Sequence, residues 1–179
     1  MALHYSIGAG RIACGANDHN TTATTDAAQT TCGNCRATSA FKAGFFWGFV
    51  SKVSGQSEQE RLQAIDAGYD SGIVPLLASA FSMSAEATFA MLGCSGSEIN
   101  RKVKFESPLD ASTSERIDRL LELASEADQV FESKDAALAW LTQDQLSLGG
   151  VKPVALCRTE LGARQVRRAI KAIEYGAPL

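Results

Sequence analysis

STSERIDRLLELASEADQVF, residues 112–131, decides the fold. Ile117, Leu120, Leu121, Ala124, Ala127 and Phe131 recur at the three- and four-residue spacing of one helix face. Such a stripe must be buried against other helices, because a helix gains most of its stability from packing. Ser112 and Glu115 read as a capping box, which predicts a helix over 113–131. The same logic extends both ways. Ser57 and Glu60 cap a helix carrying Leu62, Ile65 and Tyr69. Ser71 opens one with Ile73, Val74, Leu76, Leu77 and Phe81, and Pro75 falls in its first turns. Ser84 opens another that ends at Gly93, and a short helix over 97–104 sets Ile99 and Val103 on one face. Ser133 caps a helix through Leu138 and Leu141, followed by the loop TQDQLSLGGVKP. Thr159 begins a last helix with Val166, Ile170 and Ile173 inward, closed by Gly176 and Pro178. From residue 57 onward no strand alternation competes with this. The expected fold is mostly all-α: a helical bundle with a small N-terminal module of different character.

Length and composition agree. The chain has 179 residues, 45% of them hydrophobic, which suits a real core and excludes wholesale disorder. Its net charge of −3 excludes a globally basic nucleic-acid binder but leaves room for a local patch. The most apolar run, FFWGFV at 45–50, is far too short to span a membrane. The N-terminus has no basic flank before an apolar stretch, so a cytoplasmic protein with thiols rather than disulfides is expected. Charge is unevenly spread. Residues 107–144 hold nine acidic residues against three basic, whereas 151–179 hold six basic against two acidic. The acidic run over 110–135 reads as a solvated helix face rather than a catalytic set.

Residues 1–40 are rich in Thr, Gly, Asn and Ala and hold three of the five cysteines. His4, Cys14, Cys32 and Cys35 have the spacing H-x9-C-x17-C-x2-C. A CxxC pair puts two thiolates on one tight turn, and two further donors complete the tetrahedral set that zinc accepts. Four protein ligands leave no open position, so a structural Zn2+ is expected. His19 competes with His4 for the fourth place. A redox-active CxxC, or a leader with incidental cysteines, fits the same pattern. Cys94 and Cys157 read as buried small hydrophobes. The stretch also resembles small zinc-ribbon segments of phage and actinobacterial proteins: a His-Tyr start, Cys-Gly, Thr-Asp, then Thr-Cys-x-x-Cys.

SAEATFAMLGCSGSEINRKVK, residues 84–104, has the logic of a helix-turn-helix. One helix ends at Gly93, and Ile99 packs the next one back on the core. Ser97, Asn100, Arg101, Lys102 and Lys104 would then lie on or beside the recognition face, as residue types that reach bases and phosphates. A helical hairpin with a basic solvated face fits equally. Bulky Phe89 stands four before the glycine, where a small residue is usual. No Ser/His/Asp arrangement and no phosphate-binding glycine loop stands out, so no catalysis is expected.

From about residue 112 the chain resembles the toxin-binding domain of the Xre/MbcA/ParS antitoxin family. SERIDRLLELASEADQVFES carries its Arg-x-x-Arg-Leu helix, AALAWL its Ala-x-x-Trp-Leu at Trp140, LGGVKPVALCRTELGARQV its Leu-Gly-Gly-x-x-Pro and Thr-x-x-Gly-Ala-x-x-Val, and IEYGAPL its ending. Residues 64–95 look more loosely like the family's helix-turn-helix region. The resemblance implies a type II antitoxin that silences a NAD-depleting RES-domain toxin and represses its own operon by binding operator DNA as a homodimer. It implies toxin contacts from Gly149, Gly150, Lys152, Arg168, Lys171, Glu174, Tyr175 and Gly176. The division expected is a zinc-ribbon-like module at 1–40, a connecting segment at 41–56, a helix-turn-helix region at 57–108 and a toxin-binding domain at 109–179. A dedicated transcriptional regulator without a toxin, and a zinc-ribbon adaptor, are the competing readings.

Overall fold

The computed structural model describes residues 2–7, 11–15, 22–26 and 29–176. They fall into two compact units, Met1–Phe49 and Val50–Leu179. In the first unit, β1 (His4–Tyr5) pairs in parallel with β2 (Ala23–Thr24), His4 opposite Ala23. An isolated bridge joins Ser6 to Ile12. The Leu3 carbonyl accepts from both Thr31 and Cys32 amides, which ties the start of the chain to the short helix α1 (Gly33–Ala37). Helix α2 (Ser39–Ser54) follows. Residues 41–56, expected as a connecting segment, hold most of this helix. Its apolar residues run all the way round, so it has no amphipathic stripe to read. Gly44 lies under Tyr5, where a Cβ would sit 1.9 Å from the phenol oxygen. Tyr5 meets Phe41 edge-on at 5.5 Å, and Phe41, Phe45 and Phe49 continue the row at 5.6 Å spacings.

The second unit is built around one long helix. α3 (Glu58–Ala67), α4 (Ile73–Ala80), α5 (Ala85–Leu92) and α6 (Gly96–Lys104) precede α7 (Ala111–Phe131). α8 (Lys134–Thr142), a 3-10 turn at Leu146–Leu148, α9 (Pro153–Leu156) and α10 (Glu160–Glu174) complete it. Helix α7 packs against α3, α5, α8 and α10. Its stripe of Ile117, Leu120, Leu121, Ala124 and Ala127 is buried, and Phe131 meets Trp140 at the rim, ring centroids 5.7 Å apart.

The caps explain most boundaries. Ser57 and Glu60 form the reciprocal capping box, and Ser84, Ser133 and Thr159 each accept an amide hydrogen bond at their helix starts. Two starts differ from expectation. Asp110, not Ser112, caps α7, because its carboxylate takes both the Thr113 amide (2.9 Å) and hydroxyl (2.7 Å). Gly72 rather than Ser71 precedes α4, and Ser71 is buried. No single described helix is long and apolar enough to cross a membrane. Helices α4 and α5 reach that apolarity only as a pair bent by 113°, and Ile73, Val74, Leu76, Leu77, Met91 and Leu92 from the pair are buried.

Candidate functional site

Three segments of the first unit meet at one point. Strand β1 presents the His4 imidazole, the Ile12–Gly15 turn brings Cys14, and the start of α1 brings Cys32 and Cys35. Gly15 closes its turn at φ +74°, where a side chain would be strained. The donor atoms of all four residues lie within 4.8 Å of one another. His4 Nδ1 is 3.4 Å from Cys14 Sγ and 3.6 Å from Cys35 Sγ. A tetrahedral zinc with Zn–N of about 2.0 Å and Zn–S of about 2.3 Å sets such donors about 3.5 Å apart. Cys32 and Cys35 are buried, and the other two are half-buried. The four predicted ligands therefore form one cluster able to hold a metal ion; His19 lies outside the described residues. Cys157 is buried, and desolvation pushes its thiol up to about 12. Cys94 is half-buried rather than buried, and its thiol too is raised, first by desolvation and then by Glu98.

Helices α5 and α6 are joined by a turn at Gly93, whose φ of +65° is left-handed. Beneath it, Arg116 donates to the Leu92 carbonyl, and a Cβ on Gly93 would meet that guanidinium at 1.7 Å. Phe89 is accommodated by a second glycine: a Cβ on Gly96 would lie 2.8 Å from its ring. Ile99 is buried as the spacing required, while Val103 is half-buried. Ser97, Asn100, Arg101 and Lys104 are exposed. Lys102 differs, since its ammonium donates to the Pro108 carbonyl at 2.8 Å.

The expected toxin-contact residues lie at the end of the chain. Gly149 and Gly150 are both left-handed, at φ +78° and +72°, and let the loop fold back so that Gln145 bridges Val151. Lys152, Arg168, Lys171, Glu174, Tyr175 and Gly176 are all exposed, Tyr175 to 77%. Arg164 is exposed as well. Arg167, by contrast, turns onto α7. It binds Glu122 at 2.6 Å, Glu126 at 3.1 Å and, on its own helix, Glu160 at 3.4 Å.

That contact belongs to a polar network that the sequence reading took for a solvated face. Asp118 is buried and accepts from Tyr69 Oη at 2.8 Å and from the Arg61 guanidinium. Arg61 also reaches Glu122 at 2.8 Å, so Glu122 is shared by Arg61 of α3 and Arg167 of α10. Arg119, also buried, pairs with Glu115 and lies 3.4 Å from Glu160. The hydrogen bond from Arg61 holds the Glu122 carboxyl below its usual range, whereas burial raises that of Glu126. Burial, then the bond to Asp118, raises the Tyr69 phenol. A signal was present: acids at 115, 118, 122 and 126 keep one helix face. Their arginine partners, far off in sequence, left no local trace.

Two comparisons bear on this architecture. The model of the antitoxin Xre/MbcA/ParS C-terminal toxin-binding domain matches residues 126–176. Over 130 residues the chain is 26% identical to the Prs ADP-ribosylating antitoxin of Sphingobium sp. (strain YBL2), an overlap covering 68% of this chain and 82% of that protein. Residues 126–176, from the end of α7 through α10, are thus similar to the toxin-binding domain of Xre/MbcA/ParS antitoxins.

Proposed function

We propose that this protein is a type II antitoxin that binds and neutralises a NAD-degrading RES-domain toxin. The observation that carries the reading is the match of a toxin-binding domain to the segment whose outer face is exposed from Leu161 to Tyr175. The name of the Sphingobium relative supports the partner class, since ADP-ribosylation draws its ADP-ribose from NAD. The protein itself supplies no chemistry; it covers an entrance. Tyr175 offers a large ring with a polar tip, a residue type common at interface hot spots. Removing residues 174–179 should leave the fold intact and abolish rescue of cells from the toxin. If the shortened chain still protects cells and co-purifies with the toxin, the loop at 145–153 is the blocking element instead.

Two further roles accompany this one. The α5–α6 pair, with Ser97, Asn100, Arg101 and Lys104 exposed, supports operator binding and repression of the protein's own operon. Each copy offers few cations, so a homodimer on a palindrome is the binding unit. His4, Cys14, Cys32 and Cys35 would hold a structural Zn2+, which organises a segment too poor in large apolar residues to build its own core. Cytoplasmic residence follows from both partners.

A further inference from the structure

The α10 arginines differ in what they touch. Arg164 is 3.9 Å from Glu160, and Arg167 is held by three carboxylates. Arg168 donates only to the Arg164 carbonyl of its own helix, at 3.3 Å, and among the described residues it has no carboxylate partner. It lines a cleft of about 390 Å³ together with Ser147, Leu148, Gln165 and Ala169. One wall of that cleft is the glycine loop, pinned by hydrogen bonds from the Leu148 and Gly150 amides to the Gln145 carbonyl and from the Gln145 side chain to Trp140. Leu146, at the start of this wall, is 94% exposed.

A guanidinium without an acid, flanked by a serine hydroxyl and a glutamine amide, suits a carboxylate, which accepts from all three. A leucine held outward on a braced loop suits an apolar depression in the same partner, since ordering it costs little on binding. On the toxin-binding reading above, we propose that this cleft takes an aspartate or glutamate side chain of the toxin. Arg168, Gln165 and Ser147 bind the carboxylate, and Leu146 wedges beside it. The charge of the surroundings agrees: the chain from residue 151 onward carries six basic residues against two acidic.

The test is the affinity of the full chain for the toxin encoded beside it, measured with Arg168→Ala, Arg168→Glu and the charge-matched Arg164→Glu. Arg168→Ala should weaken binding about 30-fold and Arg168→Glu about 100-fold or more. Arg164→Glu should cost under about threefold, as expected for a charge acting at a distance. Circular dichroism checks the fold of each variant. Equal losses in Arg164→Glu and Arg168→Glu would reduce the effect to net charge and overturn the cleft. Wild-type affinity in Arg168→Glu would overturn it while leaving toxin binding intact. A wild-type chain that binds no toxin would remove both.

Discussion

Glu122 joins three helices through one carboxylate, one oxygen on Arg61 of α3 and the other on Arg167 of α10. Its folded pKa lies below the usual 4.5. The bond energy is therefore fully present above the unfolded value and is lost as pH falls through the folded one. Glu126 has the opposite sign: burial raises its pKa, so its contribution weakens as pH rises through the folded value. Glu122→Gln should cost about 1–2 kcal/mol at neutral pH, allowing for its partial exposure. The gap to wild type should narrow as pH drops below 4.5, measured by urea unfolding at several pH values. A constant gap would mean that the charge of Glu122 contributes nothing. At this scale the sequence was least legible. Ser57 reads as a cap because its partner Glu60 is three residues away, whereas Arg61 finds Asp118 only in the folded chain.

At the scale of elements, legibility followed locality. Helices α5, α8 and α10 were readable because their caps and stripes are written within a turn or two, and α7 from its stripe, although Asp110 rather than Ser112 caps it. Helix α2 was not, since an apolar surface all round erases the period. The turn between α5 and α6 was readable from Gly93, and its tolerance of Phe89 was not, because the compensating Gly96 acts across the turn. If α6 reads operator DNA, Arg101→Ala should weaken binding to the promoter by about tenfold, and Lys104→Ala should lower the slope of affinity against salt by about one ion. Lys102→Ala should do less, since its ammonium is already engaged by Pro108. Mobility-shift titrations at two salt concentrations measure all three. Unchanged binding in the Arg101 and Lys104 variants would put DNA contact elsewhere.

At the scale of the whole molecule, the two units are filled differently: the first buries the aromatics Phe41, Phe46 and Trp47. From Val50 onward the chain has a buried aliphatic core. The N-terminal unit gathers three cysteines and a histidine around one point, and the spacing made that cluster legible even though its strands are two residues long. Purified protein should carry about one equivalent of zinc. Cys32→Ser should lose it while the helical signal of α3 to α10 survives; metal-free wild-type protein with an ordered N-terminus would overturn the assignment. The proposed division of labour is a zinc-held module, a DNA-facing pair of helices, and a C-terminal surface for the toxin. The most direct test of that last role is NAD consumption by the purified toxin, followed while the full chain is added in steps. Consumption should fall to background at a fixed molar ratio, and the two proteins should co-elute at that ratio. Undiminished consumption in the presence of excess, folded protein would contradict it.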